Sequence, residues 1–372
     1  MVVPERTPIV GADDSSIPIG SSPSYGYSGA RRNPFDFTRR RTVSFRNPCL
    51  LFLVLLFILR LFFAVFTTPD YGVGFLFVLI SLLPAAVVGW FILSRFRDEI
   101  VGRPFLFLQF LIGAIPLILF IIPLELITTA AALIPIVFAI RGDLEEDLPK
   151  IIEAAEGGNS KAVQQLIQQL AQSIPLWAII LSLVLIAYVT AGTVEEVGKW
   201  LVARRYIGLE CICGQDERKV GCRGIMASAC MAALGFATIE NIGYVSGMAR
   251  AASQNSSAEL LFVFLGLFRG LLAFPVHVGT QLYVAITASQ RHIFMDDVSV
   301  PWALFHAILF HGTFDVLAFL SGALVTLRLW PAWIGLLVPV IDIIMVVLLL
   351  LVCRARYKAL LERERMAMSE PV

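Results

Sequence analysis

Four apolar stretches of this 372-residue chain carry ionisable or amide side chains whose types and spacing could support hydrolytic chemistry. In chain order these side chains are Glu195, Glu196 and Lys199, then Glu240 and Asn241, then Arg269 and His277, then His311 and Asp315. Lys199 lies three and four residues after the two glutamates, so on a helix it reaches either carboxylate. His311 and Asp315 share a helical face by the same spacing. A histidine beside a carboxylate suits metal binding or general-base catalysis.

These ionisable side chains lie in apolar segments, where burying each of them separately would cost free energy. A charged side chain at the centre of a bilayer costs about 2.5–3.5 kcal/mol on insertion scales, so the isolated groups would cost on the order of 20 kcal/mol together. Convergence in one buried polar cluster or wet cavity would remove most of that cost. Each group also has a structural explanation of its own: an interfacial Glu195–Lys199 pair, a hydrogen-bonded Glu240–Asn241 node, a snorkelling Arg269 or a packed histidine.

Composition identifies the class of protein. Hydrophobic residues make up 58% of the chain and charged residues 15%, whereas soluble domains are about half apolar and a quarter charged. The net charge of +1 gives no field that would favour nucleic acid. The sequence therefore predicts an all-α polytopic membrane protein that lies in a lipid bilayer and binds no nucleic acid.

Apolar segments of about 20 residues predict eight transmembrane helices, four of which carry the motifs and form the core. The predicted spans are 48–67, 72–94, 104–122, 174–203, 224–248, 259–289, 299–325 and 332–353. The stretch 104–140 is ambiguous because Pro116, Pro123 and Pro135 could kink one helix or divide it in two.

Arginine and lysine clusters predict the orientation. They precede the first span, follow the second, separate the fourth from the fifth, and follow the last. A single crossing by 104–140 puts all four clusters on one face, so both termini are predicted to be cytosolic. The opposite face then carries the acidic segment and a weak glycosylation sequon at Asn255.

These features predict six regions. They are a disordered basic N-terminal region (1–47), N-terminal membrane helices (48–140), an acidic extramembrane segment (141–173), a catalytic helical core (174–325), a last membrane helix (326–353) and a basic cytosolic tail (354–372).

The order of the motifs resembles the PrsW family of intramembrane proteases, which shares a superfamily with CAAX prenyl endopeptidases and bacteriocin-processing membrane proteases. The motifs here are Glu195-Glu196-x-x-Lys199, Phe236-x-x-x-Glu240-Asn241, Arg269 followed by His277, and His311-x-x-x-Asp315. The resemblance covers about residues 174–325 and implies hydrolysis of peptide bonds in membrane protein substrates.

The resemblance also implies roles for these residues. Glu240, His277 and His311 would bind a divalent metal such as zinc, with Asp315 as a fourth ligand or an outer partner. Glu195 or Glu196 would activate water, with Lys199 holding the other carboxylate ionised. Asn241 or Arg269 would stabilise the oxyanion. The same residues also suit a metal-free glutamate protease.

Two other functions would also explain this cluster of ionisable residues. A proton-coupled transporter also keeps ionisable groups at mid-membrane, and an inactive scaffold would bind membrane partners without chemistry. Arg60, Glu125 and Asp342 also interrupt apolar runs, and each is interpreted as solitary, snorkelling or locally paired.

Overall fold

The computed structural model describes residues 48–66, 71–95, 103–156, 160–204, 222–254, 259–326, 329–331 and 337–369. All regular secondary structure in these ranges is helical. The basic region 1–47 and Asn255 lie outside the described residues.

We number the α-helices in chain order. They are α1 (Pro48–Phe66), α2 (Tyr71–Arg95), α3 (Arg103–Ile112), α4 (Ile118–Ala132), α5 (Ile134–Ala139), α6 (Arg141–Glu156), α7 (Ser160–Ser173), α8 (Leu176–Leu185), α9 (Glu196–Arg204), α10 (Cys222–Gln254), α11 (Glu259–Ile293), α12 (Val300–Thr326) and α13 (Leu337–Ser369). Two π-helical segments, Gly113–Leu117 and Ile186–Glu195, join α3 to α4 and α8 to α9.

The predicted all-α membrane architecture is confirmed, but the number of eight spans is not. Among the described residues, six helical segments are long and apolar enough to cross a bilayer. They are Phe105–Ala139, Leu176–Ala203, Cys222–Tyr244, Leu271–Arg291, Val300–Leu324 and Leu337–Met366. At the first two predicted spans, α1 and α2, the apolar stretches with described side chains are shorter, Leu51–Phe62 and Leu82–Arg95.

The ambiguous stretch forms one candidate span, Phe105–Ala139, with little interruption. Pro116 lies inside the first π-helical segment, where a wider turn accommodates a residue that cannot donate a backbone hydrogen bond. Pro123 lies within α4, and Pro135 lies in the first turn of α5, where its missing N–H costs nothing.

Helix α10 is the central helix of the bundle, and its apolar length is almost entirely buried. Small residues allow close approach of neighbouring helices. A side chain at Gly235 would collide with the main chain at Phe110, and one at Gly113 would collide with the main chain at Ala232. The N-terminal helices are therefore packed directly on the motif-bearing helices.

Helix α6, in the acidic segment, is more exposed than the helices of the bundle. None of its residues is fully buried, and its ion pairs are exposed: Arg141 with Glu145, and Lys150 with Glu146 and Asp147. This segment follows the Phe105–Ala139 span and lies outside the candidate spans.

Candidate active site

Lys199 lies at the centre of a buried polar cluster and is itself fully buried. Its ammonium nitrogen lies 2.6 Å from Glu196 Oε1 and 3.5 Å from Glu195 Oε2. It also lies 2.8 Å from His277 Nδ1 and 5.1 Å from the centre of the Phe236 ring. One cation thus joins side chains from α9, α10 and α11 with the last residue of the second π-helical segment.

The second π-helical segment leads directly into this cluster, since it ends at Glu195 and α9 begins at Glu196. π-Helical turns often occur at functional sites, where they alter the direction in which side chains project. Gly192 within the segment and Gly198 in α9 allow close packing: a side chain at Gly192 would press on the Ile308 carbonyl oxygen, and one at Gly198 would press on Ile121.

Both carboxylate oxygens of Glu196 are occupied by hydrogen bonds. Oε1 accepts from Lys199, contacts His311 Nδ1 at 2.8 Å and accepts from the Thr280 hydroxyl at 3.2 Å. Oε2 accepts from the Gln281 amide at 2.8 Å. The Glu196 side chain is therefore held in place by three other side chains besides its own helix neighbour.

Glu195 differs from Glu196 although the two are adjacent. Its side chain is also buried, yet Oε2 accepts no hydrogen bond from the residues that the structure describes. This oxygen lies 3.7 Å from His277 Nδ1 and 3.8 Å from His311 Nε2. A buried carboxylate oxygen without a donor has capacity left for a water molecule or a cation.

The ring nitrogens of the two histidines have matching contacts. Each has one ring nitrogen 2.8 Å from a carboxylate on a different helix: His277 Nε2 contacts Glu240 Oε2, and His311 Nδ1 contacts Glu196 Oε1. The other nitrogen of each faces Glu195. Carboxylates placed in this way fix the tautomer and orientation of an imidazole.

Glu195, His277 and His311 form the one group of at least three metal-capable side chains found among the described residues, with donor atoms within 4.8 Å of one another. Zinc binds histidine nitrogen and carboxylate oxygen at about 2.0–2.2 Å, so ligands of one ion lie no more than about 4 Å apart. The separations of Glu195 Oε2 from the two imidazole nitrogens, 3.7 and 3.8 Å, meet that condition, and all three donor atoms lie within 4.8 Å. Glu240, which the resemblance placed among the ligands, instead contacts the opposite nitrogen of His277.

The remaining predicted site residues fall into two groups. Asp315 is buried 3.4 Å from His311 Nε2, and the fully buried Asn241 has an amide group that makes no hydrogen bond with the described part of the chain. The side chain of Arg269 and the whole of Asn255 lie outside the described residues.

Three residues of the cluster were not predicted. Thr280 and Gln281 follow His277 by three and four residues, and this helical spacing is the signal that could have identified them. Glu125 was interpreted as a solitary residue that snorkels or is locally paired, and this is wrong because its side chain interacts with that of Glu195 on a different helical segment. No local sequence pattern reveals that contact, since 70 residues separate the two positions.

Comparison with known proteins gives one match. The family model described as PrsW family intramembrane metalloprotease matches residues 157–352, just over half of the chain. No curated protein and no solved structure gives a significant match. The matched segment includes the predicted motif-bearing helices and begins after α6.

Proposed function

Because the chain belongs to the PrsW family of intramembrane metalloproteases, we propose that it hydrolyses peptide bonds of membrane proteins at the buried cluster around Lys199. The observation that carries this proposal is the convergence of Glu195, His277 and His311 inside an apolar helical bundle. A site of this kind excludes bulk water, so electrostatic interactions within it are strong.

In the metal-free form of the mechanism Glu195 is the general base. Its Oε2 atom takes a proton from a bound water as the water oxygen attacks the carbonyl carbon of the scissile bond. The same carboxyl group then gives that proton to the departing nitrogen as the C–N bond breaks. Glu196 is unsuited to this role because hydrogen bonds already occupy both of its oxygens.

Lys199 and Glu196 act on the reacting groups through position and charge. The ammonium of Lys199 offsets the negative charge of both glutamates, which would otherwise repel each other in a medium of low dielectric constant. Glu196 in turn orients His311. The amide donors of Asn241 have no partner among the described residues, and we assign them to the negative oxygen of the tetrahedral intermediate.

A divalent metal fits the donor types of Glu195, His277 and His311, and we propose these three residues as its ligands. Bound there, zinc would polarise the scissile carbonyl and supply a hydroxide from water. Glu240 and Glu196 would orient the two imidazoles from outside, through His277 Nε2 and His311 Nδ1.

One contact supports the metal-free alternative. Lys199 lies in hydrogen-bonding contact with His277 Nδ1, which is one of the three proposed ligand atoms. With that contact kept, the lysine already supplies a positive charge beside Glu195, and the site would work as a glutamate protease. Metal content decides between the two schemes.

The topology of this proposal follows the arginine distribution, with both termini in the cytosol. The single candidate span from Phe105 to Ala139 supports a single crossing there. Cysteine-accessibility labelling of the C-terminal tail in sealed vesicles tests this orientation.

The function is tested with the purified full-length chain in lipid nanodiscs and a panel of single-span reporter proteins. We expect cleavage by the wild type, and at least a 100-fold loss in His277→Ala and in His311→Ala. Zinc content, measured by mass spectrometry, should be about one per chain in the wild type and reduced in both variants under the metal scheme.

Three outcomes separate the alternatives. Full activity with no bound metal and with chelator present supports the glutamate protease. Cleavage that persists in both histidine variants overturns the proposed site. Substrate uptake by proteoliposomes with no cleavage of any reporter overturns the protease proposal in favour of a transporter.

A further inference from the structure

We propose that Glu125 of α4, which precedes the matched segment 157–352, is a positioning residue that holds the Glu195 carboxylate by a hydrogen bond between the two side chains. This inference rests on the proposed function of Glu195. It would make the catalytic centre depend on a helix that carries none of the four motifs.

Helix α4 has one face toward the protein and the rest toward the membrane. Leu119 and Leu126 are 66% and 67% exposed, while Ile121 is fully buried and Glu125 is partly buried. Because Ile121 and Glu125 are four residues apart, they lie on the same face of the helix. Glu125 therefore projects from the packed face of α4 and not into lipid.

The close approach of α4 to α9 depends on Gly198. A β-carbon built there would lie 2.7 Å from Ile121 Cδ1 and 3.1 Å from Leu117 Cδ1, so these side chains fill the space that a larger residue would need. Gly198 is three residues after Glu195. Ile121 packs against α9 beside Gly198. Glu125 lies one helical turn after Ile121, and this packing places it at the level of Glu195.

The charges around Glu125 identify its partner. Its side chain lies within hydrogen-bonding reach of Glu195 and within electrostatic range of Glu240, Lys199 and His311. Two carboxyl groups can form a hydrogen bond when one of them carries the proton. An amide at position 125 could donate in the same way, whereas an alkyl side chain could not.

The consequence concerns the orientation of the base. Glu195 Oε2 has no hydrogen-bond donor among the described residues, so its direction toward the histidines depends on what holds the rest of the carboxylate. Removing outer partners that orient a reactive or ligating group typically costs 10–100-fold in activity or metal affinity.

The first experiment tests the contact without reference to catalysis. Thermal unfolding of the full-length chain in nanodiscs is measured for Glu125→Leu, Glu195→Gln and the double variant. Residues in contact give non-additive effects, so we expect the double shift in Tm to differ from the sum of the single shifts by at least about 2 °C. Thr128→Val combined with Glu195→Gln is the control, because the Thr128 hydroxyl bonds only backbone oxygens of its own helix.

The second experiment tests positioning through the kinetics of reporter cleavage. We expect Glu125→Leu to lower kcat about 10–100-fold with KM within about twofold of the wild type. Glu125→Gln, which keeps a donor, should retain kcat within about threefold, and Thr128→Val should match the wild type. Equal losses in Glu125→Gln and Glu125→Leu would overturn positioning by donation.

Failure of this inference is distinguishable from failure of the proposed function. Additive Tm shifts at Glu125 and Glu195 overturn the contact whether or not any reporter is cleaved. A wild type that cleaves nothing, combined with non-additive Tm shifts, would overturn the protease while leaving the contact standing. Normal kcat in Glu125→Leu beside a strong loss in Glu195→Gln would overturn the positioning role alone.

Discussion

Two lysines in this chain have a pair of acidic neighbours at the same spacing but opposite surroundings. Lys199 follows Glu195 and Glu196 by four and three residues, and Lys150 follows Glu146 and Asp147 by four and three residues. Both form the ion pairs that the spacing allows, at 3.5 and 2.6 Å in the first case and 3.0 and 2.8 Å in the second. The Lys150 side chain is 50% exposed and the Lys199 side chain is 0% exposed.

The difference shows that the acidic pair and lysine do not by themselves make a site. At Lys150 both described partners lie on its own helix, and water competes for every contact. At Lys199 three more helices add His277, His311, Thr280, Gln281 and Phe236. Chemistry becomes available where the bundle dehydrates the pair and surrounds it with groups from distant parts of the chain.

The largest difference between the two regions should appear in catalysis. Glu195→Gln removes the proposed general base, and we expect reporter cleavage to fall by at least about 10³-fold. Glu146→Gln makes the same chemical change at the equivalent position of α6 and should leave cleavage unchanged. Initial rates at saturating reporter measure both, and similar rates in the two variants would contradict the assignment of the base.

Folding stability should separate the two lysines next. Lys199→Met leaves two buried carboxylates without their cation, and we expect a loss of about 3 kcal/mol in the free energy of unfolding. The carboxylates that lose their partner in Lys150→Met are already solvated, so this variant should leave the melting temperature unchanged within error. Thermal unfolding in nanodiscs measures both variants, and equal shifts would refute the contrast in burial.

Two glycines extend the comparison to packing. Gly198→Val places a branched side chain where Ile121 and Leu117 pack, and such overpacking costs about 1–3 kcal/mol. A β-carbon at Gly142 of α6 meets nothing within 4 Å, so Gly142→Ala should be neutral or stabilise the helix by about 0.5 kcal/mol. The same melting measurement compares them, and a destabilising Gly142→Ala would show that α6 is packed more closely than described.

The smallest expected effect is the pH response of the exposed pair. Hydrogen bonds to Asp147 and Glu146 raise the pKa of Lys150 above its ordinary value. A raised lysine pKa gives stabilisation that is complete below the unfolded pKa and is lost as the pH rises through the folded pKa, so any change is confined to strongly alkaline pH. NMR titration of the lysine side chain should show a lower pKa after Glu146→Gln with Asp147→Asn, and an unchanged value would mean that the pairs do not persist in solution.

The sequence predicted the parts of this molecule that depend on regular helical spacing. Apolar length identified the membrane helices of the matched segment, and the separation of Lys199 from its glutamates predicted that it could reach both. The cost of burying isolated charge predicted that the ionisable groups on separate helices would meet. These inferences need only the geometry of an ideal helix and the energetics of a bilayer.

Other features depend on departures from that geometry or on contacts between distant segments. The π-helical segment before Glu195 has no simple sequence signature, so the different surroundings of Glu195 and Glu196 could be expected but not specified. Glu125 was misread because its partner lies on another helix. The side chains of the first two predicted spans are described only in part, and the expected count of eight is not confirmed.

The interlocked glycines of α3–α4 and α10 set a lower limit on the portion of the chain that can fold alone. Because main chain meets main chain at Gly113 and at Gly235, a chain shortened to begin at residue 157 would leave an open groove along the central helix. Lipid tails or a foreign helix would then occupy the place of α3 and α4. The segment that bears the motifs is thus smaller than the unit that must be expressed together to fold.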